Sequence, residues 1–234
     1  MKIGIQGLRG AHSENAAVKL YPKAEIITCT TFEDCFKLAK ENDDYKIMIP
    51  IENSSSGRVA DIQYLIPKYK LQIYAEYFHP VNHYLLGIPG SKLKDIKYVM
   101  SHAQAISQSG KIIKKNNFKP IIAADTAGSA KYISENKKKN VAAIASSLAA
   151  KIYNLDILAT NIEDESGNVT RFLVMGKNAH HPDLLIDNKY ITSVIFKVRS
   201  KPAALYSALS GFAINQVNLS KLESYPEKNS FANF

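Results

Sequence analysis

Ile47-Met48-Ile49-Pro50-Ile51-Glu52-Asn53-Ser54-Ser55-Ser56-Gly57 is an apolar run that turns abruptly polar and closes on small residues and a glycine. A short continuous apolar stretch reads as a strand buried on both faces, and the pattern beginning near Val59 reads as the helix that follows it. The same grammar surrounds it. Ile3-Gly4-Ile5 predicts a strand, Ser13 to Leu20 a helix opened by a serine, Ile26-Ile27 a strand, and Phe32 to Lys40 a helix. Strands that alternate with helices build a parallel sheet covered by its crossovers, so the fold class is α/β.

Further along, Leu71 to Ile88 is long, extended and aromatic, with Pro80 inside it, and is read as a crossing between lobes. A second alternating set follows: strand Tyr98 to Met100, helix Gln104 to Lys114, strand Ile121 to Ala124, helix Ala127 to Ser134, strand Val141 to Ile144 and helix Ser146 to Ile152. An extended Asp156 to Ile162 then leads through a polar turn to the apolar strand Phe172-Leu173-Val174-Met175. The pattern predicts a two-lobed domain over residues 1–176, crossing near 71–88 and back near 156–168, with strand ends facing a cleft. Residues 177–190 read as a polar linker whose His180-His181 pair, lacking a third ligand, is not a metal site. From Ile191 the chain predicts a strand at Ser193 to Val198, a helix at Ala203 to Ile214 and a strand near Leu219 to Glu223.

Composition narrows the function. With 234 residues and 46% hydrophobic content the chain can bury a large core, and no apolar run approaches the roughly 18 residues of a spanning helix. Without an apolar leader after Met1, the expected setting is soluble and cytoplasmic. Cys29 and Cys35, the only cysteines, are too few for a disulfide framework or a structural zinc site and read as buried thiols. The excess of 30 Lys+Arg over 21 Asp+Glu is scattered, with no run longer than Lys137-Lys138-Lys139, and there is no Trp. That argues against a nucleic-acid scaffold and for a solvated basic surface that attracts small anions.

Four polar junctions share one chemistry. Pro50 to Gly57 presents amides and hydroxyls to an anion at a helix start, although a helix cap without a ligand fits the same residues. Gly7-Leu8-Arg9-Gly10-Ala11-His12-Ser13 links the first strand to its helix, and its glycines allow close approach of backbone to something bound. Ser101-His102-Ala103-Gln104 and Asp125-Thr126-Ala127-Gly128 repeat the arrangement in the second half. His12 and His102 sit at helix starts, where capping or packing is a commoner role than general base. At a fifth junction, Asn168-Val169-Thr170-Arg171-Phe172, the arginine enters a buried strand and must be paired, either with a bound carboxylate or with Glu52, Glu163 or Asp164. Nucleophile elbow, Walker loop, dinucleotide fingerprint and metal-ligand cluster are all missing from the sequence.

In this order and spacing, the five blocks resemble the prephenate and arogenate dehydratase family up to Gly176. Pro50 to Gly57 matches its Pro-Ile-Glu-Asn-Ser block outright, while Ala11-His12 stands where Thr-Phe or Ala-Tyr is common and Ala103 where proline is common. The tail is similar to the start of an ACT regulatory domain. There Ala203-Ala204-Leu205 stands for a Gly-Ala-Leu block, and Glu223-Ser224-Tyr225-Pro226 for a Glu-Ser-Arg-Pro block.

The resemblance implies a periplasmic-binding-protein-like catalytic domain followed by a short α+β, ferredoxin-like partial ACT segment over 191–234. It implies a carbon-oxygen lyase that converts prephenate to phenylpyruvate in phenylalanine biosynthesis, with no cofactor and no metal. Thr170 is then the catalytic hydrogen-bond donor to the departing hydroxyl, and Arg171 clamps a carboxylate. Asn53, Ser54, Gln104, Thr126, Phe172 and Ser13 bind substrate; Ala204, Leu205, Glu223 and Ser224 touch a phenylalanine effector; and the chain forms a homodimer or homotetramer. Two rivals stay open: an arogenate dehydratase, and a two-lobed carboxylate-binding module without turnover.

Overall fold

The fully buried Ile47-Met48-Ile49 run lies at the centre of the first of two sheets in the computed structural model, which describes residues 1–59, 62–178 and 189–224. The chain enters through β1 (Lys2–Gln6), α1 (His12–Leu20), β2 (Glu25–Cys29), α2 (Phe32–Glu41), β3 (Tyr45–Asn53), the short β4 (Gly57–Arg58) and α3 (Ile62–Tyr69). It then runs through β5 (Gln72–Pro80), crosses, and continues as β6 (Tyr84–Gly87), β7 (Tyr98–His102), α4 (Ala103–Ser107) and α5 (Gly110–Lys115). The second lobe closes with β8 (Lys119–Ala123), α6 (Thr126–Asn136), β9 (Val141–Ala145), α7 (Ser147–Ile152) and β10 (Asp156–Ala159), and β11 (Val169–Gly176) returns to the first.

The sheets are ordered β2-β1-β3-β11-β5, with β4 beside β3, and β10-β6-β9-β7-β8. Each has three parallel strands joined by helices and then two strands paired antiparallel. The first of those two, β11 in one sheet and β6 in the other, arrives from the opposite lobe. Alternation along β3 divides its side chains. Ile47 and Ile49 pack with Phe36, Leu173 and Met175 under α2 and α3, whereas Met48 packs with Ile3, Ile5, Phe172 and Val174 under α1. In the second lobe β9, Val-Ala-Ala-Ile-Ala, is buried throughout. Its small side chains let α6 and α7 approach closely, with Ala130, Ala149 and Ala150 packed against them.

The structure departs from the expected pattern in three places. The helix expected from Gln104 to Lys114 is two helices, because the chain breaks at Gln108-Ser109. The second starts on a distant cap, in which the Lys111 N–H donates to Asp164 Oδ1 at 2.8 Å.

Gly10 has φ +87, but what approaches it is protein: a Cβ there would lie 2.8 Å from Ala149 Cα on α7. Ser146 Oγ donates to the Gly10 carbonyl at 2.6 Å and Tyr153 O–H to the Arg9 carbonyl at 2.8 Å, so the glycine loop is a joint between the lobes. Buried Glu14 holds it from the other side, accepting from Gly10 N and Arg9 Nε at 2.6 Å each. Gly10→Ala combines a left-handed backbone with a backbone clash, and is expected to cost roughly 2–4 kcal/mol in urea unfolding; a loss under about 1 kcal/mol would show the joint to be soft.

The chain divides by internal contacts into Met1–Pro182 and Asp183–Phe234. In the second unit the predicted helix forms as α8 (Ala204–Ile214), but neither expected strand does among the described residues. A strand needs a neighbour for its ladder, and Val194, Ile195, Phe196, Leu219 and Leu222 stay exposed. His180, His181, Tyr225 and Pro226 lie outside the described residues.

Candidate active site

β3 runs antiparallel to β11, which places Asn53 directly opposite Thr170. Asn53 Nδ2 donates to Thr170 Oγ1 at 2.9 Å and to Asn168 Oδ1 at 2.6 Å, while its Oδ1 accepts the Ser55 and Ser56 N–H groups at 3.0 Å each. The two backbone donors fix which end of the amide is oxygen, so the Thr170 oxygen receives a hydrogen bond and its own proton is left to give. The network runs on across the lobes. Asn168 Nδ2 donates to Gln108 Oε1 at 3.2 Å, and the same oxygen lies 2.9 Å from His83 Nε2. Gln104 Nε2 donates to Ser56 Oγ, a direct link from α4 to the loop after β3.

Opposite Thr170 on its other flank is His79 of β5. On the shared α1 face, His79 stands 6.3 Å from Phe172 and 6.1 Å from His12, and His12 is 5.8 Å from His83, measured between ring centroids. Burial, with the neighbouring His83 and His79 adding to it, lowers the His12 pKa to about 3. Burial chiefly, and then Lys19, lowers that of His79 to about 4. Among the described residues no group of three or more His, Cys, Asp or Glu is arranged to hold a metal ion, and no helix is long and apolar enough to cross a membrane.

A family model described as prephenate dehydratase matches residues 3–180. The chain belongs to the prephenate dehydratase family. It is 42% identical over 228 residues to the arogenate dehydratase/prephenate dehydratase 1 of Arabidopsis thaliana, covering 97% of this chain and 58% of that protein. It is 38% identical to a bifunctional N-acyl-homoserine lactone acylase/prephenate dehydratase of Komagataeibacter europaeus, over 98% of this chain and 82% of that one. The solved prephenate dehydratase of Arthrobacter aurescens in complex with L-Phe superposes with a TM-score of 0.86 at 27% identity, covering 100% of this chain and 78% of that chain. Against plant relatives the chain spans little more than half their length.

The residues expected from the prephenate dehydratase resemblance are only partly brought together. Asn53, Ser54, Thr170 and Gln104 are joined directly or through the loop at 54–56. Ser54 Oγ is engaged by this junction, accepting from Val169 N at 2.9 Å and reaching the Gly167 carbonyl at 3.3 Å. Ser13 and Thr126 sit on the first turns of α1 and α6, and neither hydrogen-bonds this group among the described residues. His102 caps α4 through Gln104 N, as expected of a histidine at a helix start, and Ser101 Oγ is buried against the Ile144 carbonyl. Phe172, at 1% exposure, packs in the core on the α1 face of β11 beside His79.

Arg171 is paired within the protein. Adjacent strand residues point to opposite faces, and the guanidinium lies away from Thr170, donating from Nε at 2.8 Å and Nη2 at 2.7 Å to Glu76 Oε2. That partner is none of the three acids expected, because it comes from the register of β5 on β11. Arg171→Lys is accordingly expected to leave KM within about twofold and to cost about 1 kcal/mol of stability, as for a partly exposed pair; a KM raised about tenfold would return Arg171 to the substrate.

Gln108, His79 and His83 were not among the expected site residues. The Gln104–Gln108 spacing, one helical turn, was the signal available for the first.

Proposed function

We propose that this chain catalyses the decarboxylating dehydration of prephenate to phenylpyruvate, a carbon-oxygen lyase step toward phenylalanine. The observation that carries the reading is the Asn53–Thr170 hydrogen bond, which leaves a hydroxyl proton presented at a junction of the two lobes. Loss of carbon dioxide sends an electron pair through the ring and expels the hydroxyl opposite; a donor at that oxygen lowers the barrier, and aromatisation drives the rest. Thr170 is that donor. Asn53 orients it, Ser54 ties the loop after β3 to β11, and Gln104, Thr126 and Ser13 are neutral groups available to the anionic ends of the substrate.

A second reading, arogenate as substrate, is favoured by the names of the plant relatives. Comparing kcat/KM for the two compounds on the purified chain separates them. The proposal expects phenylpyruvate from prephenate at the higher efficiency; phenylalanine formed preferentially from arogenate favours the second, and turnover of neither leaves a binding module. Phenylalanine acting at Ala204, Leu205, Glu223 and Ser224, assembly as a homodimer or homotetramer, and a cytoplasmic setting belong to the same proposal. The L-Phe complex of the Arthrobacter relative supports the first of these.

A further inference from the structure

Thr170, Asn53, Asn168, Gln108, His83, His12 and His79 follow one another around a circuit, linked by hydrogen bonds as far as His83 and by ring neighbours thereafter. The circuit closes where His79 faces Thr170 across the β5–β11 ladder. The three histidines on it contribute five buried ring nitrogens that no protein group hydrogen-bonds: both of His12, both of His79, and Nδ1 of His83. Each nitrogen left dry carries a desolvation penalty, and the penalties of five together would rival the stability of a whole domain. Such groups persist where they face a polar occupant. They are not metal ligands here, since the three rings are not arranged around a common cation.

The spacing fits something smaller. A water oxygen hydrogen-bonded to a ring nitrogen lies about 4 Å from that ring's centroid. One water can therefore serve two rings whose centroids are 5.8 or 6.1 Å apart.

We propose that His12, His79 and His83 line a water-binding pocket beside Thr170 that receives the oxygen of the departing hydroxyl. The inference rests on the dehydration reading and adds to it the place where the leaving group goes. The ring C–O bond breaks with its electron pair on oxygen, while the pair released by the carboxylate's C–C bond moves into the ring. The oxygen takes the Thr170 proton, Thr170 recovers one from pocket water, and the net proton is drawn from solvent. A neutral imidazole suits this task because it offers one N–H and one lone pair, the two functions a water needs in order to be held and passed on. Burial keeps His12 and His79 in that neutral state.

The test is steady-state kinetics on prephenate with His79→Phe and His12→Phe, which keep a ring and remove its nitrogens. Each is expected to lower kcat by about tenfold or more with KM within about twofold, and His79→Gln to recover most of the loss. Full kcat in both phenylalanine variants of an active enzyme overturns the pocket and leaves the dehydration reading intact; a wild type that does not turn over prephenate sinks that reading first. Should either variant fail to fold, an atomic-resolution crystal structure of the unaltered protein decides. An ordered oxygen within hydrogen-bond distance of two of the three rings is expected, and rings with no such oxygen between them overturn the proposal.

Discussion

Thr170→Val lowers kcat for prephenate by at least about 10²-fold, the lower bound for losing a positioned proton donor. Valine has the shape of threonine and the same preference for strands, so β11 keeps its geometry. Asn53 Nδ2 loses one acceptor but keeps Asn168 Oδ1 at 2.6 Å. The stability cost is therefore about 1 kcal/mol, far below what unfolding would require. Thr170→Ser retains the hydroxyl and is expected to remain within about tenfold of wild type. Steady-state rates with thermal melting on the same samples check both. Near-normal turnover in the valine variant would remove Thr170 from the mechanism whatever its neighbours do.

A second large effect is a loss of stability in mild acid. The folded protein binds protons at His12 and His79 more weakly than the unfolded chain, whose histidines titrate near 6.5. Above that pH both states are neutral and there is no penalty. As pH falls from about 6.5 toward 4, the unfolded chain takes up protons that the folded one refuses, and stability drops by about 1.4 kcal/mol per pH unit for each ring. The two together amount to at most roughly 4 kcal/mol by pH 5. Glu33, held at about 2 by its bonds to Lys68 and Tyr69, contributes only in a lower window. Urea unfolding near pH 7.5 and near pH 5 measures the drop, and His12→Phe should remove about half of it. A flat profile, or the same slope in the variant, would show the rings to be protonated in the folded state.

The two-lobed arrangement was legible because its signals are local. Ile47-Met48-Ile49 announces a strand buried on both faces and lies in β3, and the aromatic stretch ending at Ile88 supplies β5 and β6, which belong to different sheets. What could not be read depends on register between distant segments. The Glu76 partner of Arg171 lies 95 residues away and follows from how β5 lies on β11. The Asp164 cap of α5 and the seat of Gly10 against Ala149 are likewise tertiary, as is the gathering of His12, His79 and His83 from a helix start, a strand end and a crossing. The blocks mark the junctions, but a motif does not say which face of a strand its residues occupy. For that reason Thr170 and Arg171, neighbours in sequence, part company in the fold.

The most direct test is a crystal structure of the slow Thr170→Val variant with prephenate bound. The account predicts the ring hydroxyl within about 3.5 Å of the methyl that takes the place of the Thr170 Oγ1, facing His79, with Arg171 still paired to Glu76. A substrate carboxylate seated on Arg171 with Glu76 displaced, and the ring hydroxyl remote from β11, would contradict it.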